Sequence, residues 1–329
     1  MKRKKIIYIL ITILFIFILI LFCIKKQTNK YHIIKISEPT RSVFYAPQYI
    51  ALELGFFKEE NLNIDIVTVC GSDKVMTSVL SGQADIGLLG SEAVMYVANE
   101  GKEDYPVLFA KLTQKDGSFL IGRTADSDLS NKTIIAGRKG SMPEMCLEHV
   151  LKKRNIFNSV KLLNNIQFDL TSAAFLQGKG DCMTLFEPLA SNFEQKGFSI
   201  LASIGEECET LAYTCYCASK SRIENNSDEI ESFTRAIYKS QIWTENHSSE
   251  EIVNVLNKYF PDSNSDLLLS SVKRYKKLEV WSKNPIIEKN EYKTIQKIAL
   301  EAGQINKIIE FEKIYISHFA EKSLKTLGG

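Results

Sequence analysis

Ser42-Val-Phe-Tyr-Ala-Pro-Gln-Tyr-Ile-Ala-Leu-Glu-Leu-Gly-Phe-Phe-Lys-Glu-Glu-Asn-Leu-Asn-Ile-Asp-Ile66, followed by Leu80-Ser-Gly-Gln-Ala-Asp-Ile-Gly87, is the part of the chain from which the fold can be read. It predicts a strand, a polar loop, a short helix and a second strand. Pro47 suits the first turn of that helix, where a missing N–H costs little, and Gly55 lies just past its end, where a left-handed conformation is cheap. The apolar positions Ile64, Ile66, Val67 and Val69 mark the second strand. The unit is β-α-β, and the loop after its first strand carries Phe44, Tyr45 and Gln48. In open α/β sheets the crevice at the carboxyl ends of the strands is where ligands sit.

Working outward, Leu80-Ser-Gly-Gln-Ala-Asp85 recurs as Leu176-Gln-Gly-Lys-Gly-Asp181, an offset of 96 residues (176 − 80). In both copies the glycine can end a helix in the left-handed region, and the aspartate can tie down the turn before an apolar strand. Each strand then runs into a loop with a carboxylate, Gly90-Ser-Glu92 in one copy and Phe186-Glu-Pro188 in the other. Two similar α/β lobes facing each other account for the repeat. The expected boundaries are 33–122 with 214–329 for the first lobe and 123–213 for the second. Ser118–Arg123 and Tyr213–Ala218 are the two crossing strands. Thr133–Ala136, Ile166–Phe168 and Met183–Phe186 are expected as second-lobe strands. From Asp228 onward, apolar periodicity predicts helices over Ile230–Asn246, Ser249–Tyr259, Leu267–Leu278 and Tyr292–Ala302.

The same residues carry a resemblance. Tyr45-Ala-Pro-Gln-Tyr-Ile-Ala, Gly55-Phe-Phe-Lys-Glu-Glu, Lys74-Val-Met-Thr and Leu80-Ser-Gly-Gln-Ala-Asp-Ile-Gly87 are similar to segments of the substrate-binding proteins of ABC importers. Within these the chain resembles the branch that handles nitrate, sulfonates, taurine and thiamine-precursor pyrimidines. The likeness covers most of the chain after the first thirty or so residues. It implies a two-lobed periplasmic-binding-protein fold with two hinge strands, a small-molecule ligand in the cleft, and no cofactor. It also implies a membrane permease with its ATPase as partners, a monomeric state, and C-terminal helices that pack back on the first lobe. Pyrimidine-synthesis enzymes share the fold, with a cysteine-rich signature and a histidine. Cys215-Tyr-Cys217 is too little to suggest that chemistry.

Composition bounds the remaining classes. At 329 residues, 45% hydrophobic and 24% charged, the chain is globular rather than disordered, and long enough for two cores. A formal charge of +2, part of it from Lys2-Arg3-Lys4-Lys5, shows no clustered basic face for nucleic acid. Ile6–Ile24 is an apolar run close to the roughly 20 residues that span a bilayer. Residues 1–30 therefore read as a signal or membrane anchor, placing the body on the outer face of the bacterial cytoplasmic membrane. Cys23 is the candidate for lipid attachment, and an uncleaved signal-anchor is the alternative. Cys70, Cys146, Cys182, Cys208, Cys215 and Cys217 have irregular spacings and read as free, mostly buried thiols. Only four histidines are present and none stands at zinc-ligand spacing. No phosphate loop or nucleophile elbow occurs, so a non-catalytic receptor is expected.

The candidate ligand residues come from the two lobes. Phe44, Tyr45 and Gln48 offer a stacking face and an amide edge. Ser91, Glu92 and Glu187 follow apolar strands that should end at the cleft, with Tyr213 as a hinge-strand aromatic. Arg138 and Ser141 precede a helix, where an anion could sit. Ser141 and Glu144 form a capping-box pattern, and Ser72 opens a second helix that it or Asp73 should cap. Converging carboxylates favour a flat heterocycle with N–H donors, such as an aminopyrimidine thiamine precursor. A sulfonate, taurine or nitrate is the alternative, and a surface adhesion module is a rival class.

Overall fold

The computed structural model describes residues 33–101 and 103–328, and Ile34–Gly329 constitute one compact unit. Cys23 and the Ile6–Ile24 run lie outside the described residues. Among the described residues no helix is long and apolar enough to cross a membrane.

The first sheet is built from β1 (Ile33–Glu38), β2 (Asn63–Thr68), β3 (Ile86–Gly90), β4 (Pro106–Thr113) and β10 (Thr214–Ser219), in the order β2-β1-β3-β10-β4. The second is built from β5 (Ser118–Gly122), β6 (Thr133–Ile135), β7 (Lys161–Leu163), β8 (Cys182–Phe186) and β9 (Ser199–Ser203), in the order β7-β6-β8-β5-β9. The two sheets share a plan. Each has a parallel core, β1 with β3 and β6 with β8, and a fourth strand running antiparallel to both of its neighbours.

The repeated sequence frame explains that plan at atomic scale. Gly82 and Gly178 both take positive φ, +72° and +83°, at the ends of their helices. Asp85 then accepts from the Lys35 N–H at 2.9 Å, while its own N–H donates to the Lys35 carbonyl. Asp181 makes the same pair with Thr133, accepting from its N–H at 2.8 Å. In each lobe the aspartate clamps the incoming strand to its parallel neighbour, satisfying backbone groups that a strand end would otherwise leave open.

Several local expectations change. Ser118–Arg123, read as leaving the first lobe, forms over Ser118–Gly122 an interior strand of the second sheet, paired with β8 and β9. The chain therefore crosses between sheets over residues 114–117. No strand forms at Ile166–Phe168. The partner of β6 is Lys161–Leu163, because the Met142–Lys153 helix turns back through Asn155 at φ +59° and delivers the chain that early. Ser141 makes no cap bond. Its hydroxyl donates to the Arg138 carbonyl at 2.7 Å, and Glu144 instead accepts from the Gly140 N–H at 3.0 Å. Gly71, at φ +90°, occupies the cap position before Ser72–Leu80, so neither Ser72 nor Asp73 caps that helix.

The C-terminal helices reach both lobes. Ser227–Asn246 packs on Ala46–Glu53 and Phe56–Glu59, whereas Ser265–Leu278 touches Leu189–Gln195 and Lys289–Glu301 touches Met142–Lys153. Lys289–Glu301 is moored to the first sheet by the buried Lys111–Glu291 ion pair.

Candidate functional site

Both crossings between the sheets meet at one place. The Tyr213 N–H donates to the Thr113 carbonyl at 3.1 Å, and the Thr214 N–H donates to Thr113 Oγ1 at 3.0 Å, so the two crossing segments are tied side by side. Ser91, at the end of β3, joins them. Its N–H donates to the Tyr213 carbonyl at 3.1 Å, and its hydroxyl to the Ala212 carbonyl at 2.6 Å.

Three polar atoms at this junction are buried without a hydrogen bond of full geometry, Glu92 Oε2, Asp116 Oδ2 and the Tyr213 hydroxyl, and of these the Asp116 carboxylate and the Tyr213 phenol stand close enough to perturb each other. The other oxygen of Glu92 accepts from the Met142 N–H at 3.2 Å, a contact from the second lobe. Its carboxylate folds back over Gly90, where a Cβ would lie 2.1 Å from Oε2, so only glycine leaves room for it. Asp116 Oδ1 accepts from the Ser118 N–H at 2.6 Å and from its hydroxyl.

Burial is the main force on both acids. It raises Glu92 to about 7, against backbone N–H groups of Glu92, Met142 and Ala93 that pull the other way. It raises Asp116 to about 6, against the Ser118 hydroxyl and N–H. The Tyr213 phenol is pushed well up, by burial first and then by the charge of Asp116, with Glu92 adding to it. The buried Cys146 thiol is also raised, by contact with Cys208 first, then by burial and by both carboxylates. Among the described residues no Lys or Arg pairs with Glu92 or Asp116 in an ion pair. Such a cluster offers acceptors to a group that brings hydrogen-bond donors or positive charge.

The aromatic expectation has a definite geometry. Phe44 packs on Tyr45 with ring centroids 5.5 Å apart, on Phe186 at 5.1 Å, edge-on to Tyr213 at 5.5 Å and on Tyr275 at 5.6 Å. Gly117 passes so close that a Cβ there would lie 2.5 Å from the Phe44 ring. Burial, then the charges of Glu38 and Glu92, raise Tyr45, while the Thr214 hydroxyl opposes them.

The other sequence candidates are occupied by protein partners. Gln48 donates to Glu38 at 2.8 Å and accepts from the Tyr216 hydroxyl at 3.1 Å, deep in the first lobe. Ser72 Oγ accepts from the Gly90 N–H at 3.2 Å. Arg138 pairs with Asp73 at 2.8 Å across the lobes, both half exposed, so its charge is spent on the rim. Glu187 accepts from the Ser191 N–H and hydroxyl at 2.9 Å each, from Ser271 at 3.2 Å and from Arg274 at 2.7 Å.

Asp116 was missed in the sequence because Gln114-Lys-Asp-Gly117 reads as an ordinary polar turn. The faint signal was its position just before a predicted crossing strand. Cys70, Cys146, Cys182, Cys208, Cys215 and Cys217 are free, and Cys70 alone among them is exposed.

With this geometry in place, comparisons with known proteins extend the picture. The model of the family described as NMT1/THI5 like matches residues 43–251. The candidate binding protein YtlA of Bacillus subtilis (strain 168) is 41% identical over 315 residues, covering 93% of this chain and 94% of its own. Three solved structures share the fold. The ligand-binding component of an ABC-type import system from Staphylococcus aureus, with zinc bound, has a TM-score of 0.73 at 13% identity, covering 89% of this chain and 99% of its own. The periplasmic nitrate-binding protein NrtA of Synechocystis PCC 6803 has 0.73 at 10% identity, covering 91% and 89%. A Candida albicans protein with the generic periplasmic binding protein fold has 0.64 at 16% identity, covering 90% and 95%.

Proposed function

The chain belongs to the NMT1/THI5-like family, and from that premise we propose that it is the extracytoplasmic substrate-binding component of an ABC importer. It takes up a small heterocycle of the aminopyrimidine type and hands it unchanged to a permease driven by an ATPase. The observation that carries the ligand class is that the buried carboxylates of Glu92 and Asp116 both act on Tyr213, that Glu92 Oε2 has no partner, and that neither acid faces a basic side chain in an ion pair. Two buried carboxylates repel a sulfonate or nitrate and welcome amino and ring N–H groups. Phe44 and Tyr45 supply an apolar, aromatic wall beside them. Ser91 and Tyr213 complete the polar side from the crossing segments, while Ser72, Arg138, Ser141 and Glu187 hold the surrounding frame. The two lobes, each built on one of the two sheets, close on the ligand by hinge rotation. The N-terminal segment, through lipidated Cys23 or as an uncleaved helix, holds the monomer at the outer membrane face.

Calorimetry with an aminopyrimidine, riboflavin, taurine and nitrate tests this reading. Tight binding of the aminopyrimidine, with the compound recovered unchanged after release, supports it. Tight binding of nitrate or taurine that survives Glu92→Gln overturns the ligand class. Turnover of the bound compound overturns the receptor role.

A further inference from the structure

On the face of the Met142–Lys153 helix directed to the C-terminal helices, His149 is held between two carboxylates from two other parts of the chain. Its Nδ1 lies 2.7 Å from Glu301 Oε2, at the end of Lys289–Glu301, and its Nε2 lies 2.9 Å from Glu209 Oε2, in the segment leading to β10. The imidazole is buried, whereas Glu209 and Glu301 are partly exposed to water. A neutral imidazole carries one N–H and can donate to only one of these acceptors. Bonding to both carboxylates requires the doubly protonated ring.

The position matters as much as the chemistry. His149 rides on the crossover helix between β6 and β7 of the second sheet. Glu301 rides on the helix that Lys111–Glu291 moors to the first sheet. Glu209 lies on the return crossing. We propose that His149, Glu209 and Glu301 form a proton-controlled latch between the lobes, closed by two charged hydrogen bonds when the ring is protonated and held by one when it is neutral. The latch is separate from the ligand site and does not depend on what the ligand is.

The other charged groups around the ring are accounted for. On its own helix, Lys152 binds Glu148 at 3.2 Å and the Glu301 carbonyl at 2.7 Å, while Lys153 binds the Glu207 carbonyl at 2.9 Å and Arg154 pairs with the Glu207 carboxylate. On the facing helix, Lys297 stands 4.0 Å from Glu301 Oε1. Glu209 is held below its ordinary value: burial works upward, but its own backbone N–H, His149 and Lys153 outweigh it.

Amide hydrogen exchange on the full, ligand-free chain tests the latch, read over Met142–Lys153 and Lys289–Glu301 at about pH 6 and about pH 8 after correction for intrinsic rates. Wild type should lose about fivefold to tenfold of its protection in both helices on going to the higher pH, as a charged hydrogen bond weakens. His149→Gln, which keeps one hydrogen bond at every pH, and Glu301→Gln should both flatten that response. Glu207→Gln, which breaks a neighbouring ion pair without touching the ring, should leave the response as in wild type. A pH response that persists in His149→Gln overturns the proposal. So does a loss of protection in His149→Gln that is equal at both pH values with no pH response in wild type, because the cluster would then be a static clamp.

Discussion

Glu92 and Glu187 occupy matching places in the two lobes, just after β3 and just after β8, and the molecule treats them in opposite ways. The Glu187 carboxylate accepts from Ser191, Ser271 and Arg274, and the Glu187 backbone N–H donates to the Tyr275 hydroxyl at 2.8 Å. Glu92 is as deeply buried, yet one oxygen has no partner and no cation pairs with it. Burial raises both. In Glu187, the Arg274 charge and the two serines oppose that rise, whereas Glu92 has only backbone N–H groups. A buried carboxylate with complete partners is part of the frame, and one left incomplete is a place for something else to bind.

The largest effect should come from breaking the complete member. Glu187→Ala leaves the Ser191 N–H and hydroxyl and one arm of Arg274 without their acceptor, while Ser271 keeps the Leu267 carbonyl, and should destabilise the protein by about 3 kcal/mol, as removal of one partner of a buried pair does. Urea denaturation measures it. Part of the cost is recovered because Arg274 also reaches Glu194 at 2.7 Å. Full stability in this variant would erase the contrast between the two acids.

Glu92→Gln should do the reverse. Stability should hold or rise, since a desolvated charge is removed, while affinity for an aminopyrimidine should fall by about 1–3 kcal/mol, the range for a lost charged hydrogen bond. Calorimetry and thermal melts on the same sample separate the two readouts.

How much of this was visible beforehand depends on the kind of information involved. The L-x-G-x-x-D frame announced two similar lobes because a left-handed glycine and a strand-clamping aspartate are local demands on the chain, and both Asp85 and Asp181 meet them in the same way. It could not separate Glu92 from Glu187. Their difference is made by Arg274 and Ser271, which lie more than eighty residues further on in the C-terminal helices. Gln48 was legible as a polar residue in the right loop, but its side chain turns inward because Glu38, at the end of β1, needs donors from Gln48, Tyr49 and Thr68. Asp116 was hidden for the same reason in reverse: a turn residue becomes a buried acid only when Gly205 lets the Ile204–Glu207 helix approach so closely that a Cβ would lie 1.9 Å from the Asp116 carbonyl oxygen.

The pH dependence of the ligand-free protein sharpens the comparison further. Glu92 is raised from 4.5 to about 7 and Asp116 from 3.8 to about 6, so the folded protein holds these protons more tightly than the unfolded chain does. Their contribution is therefore full below the unfolded values and is lost as pH rises through about 6 for Asp116 and about 7 for Glu92. Glu38 and Glu187 are raised as well, so the quantity to measure is the difference between wild type and Glu92→Gln. Wild type should lose stability relative to the variant between about pH 5 and about pH 7. Parallel curves across that window would mean that Glu92 does not titrate there.

The smallest effect should come from Gly90→Ala, which alters no charge and no hydrogen-bonding group. Its new methyl would overlap the Glu92 carboxylate, with 2.1 Å to Oε2 and 2.7 Å to the other carboxyl atoms. Backbone conformation does not resist the change, since Gly90 lies within β3 outside the positive-φ region. The side chain of Glu92 must therefore move, and the Met142 N–H contact at 3.2 Å goes with it. Overpacking of this kind costs about 1–3 kcal/mol in a rigid core, and the yielding partner here is a side chain, so the lower end applies to stability. Ligand affinity should drop by a similar, modest amount, because the unpartnered oxygen no longer points where the ligand needs it. A crystal structure of the variant with Glu92 unmoved and affinity unchanged would show that the open carboxylate, although buried and unpaired, plays no part in binding.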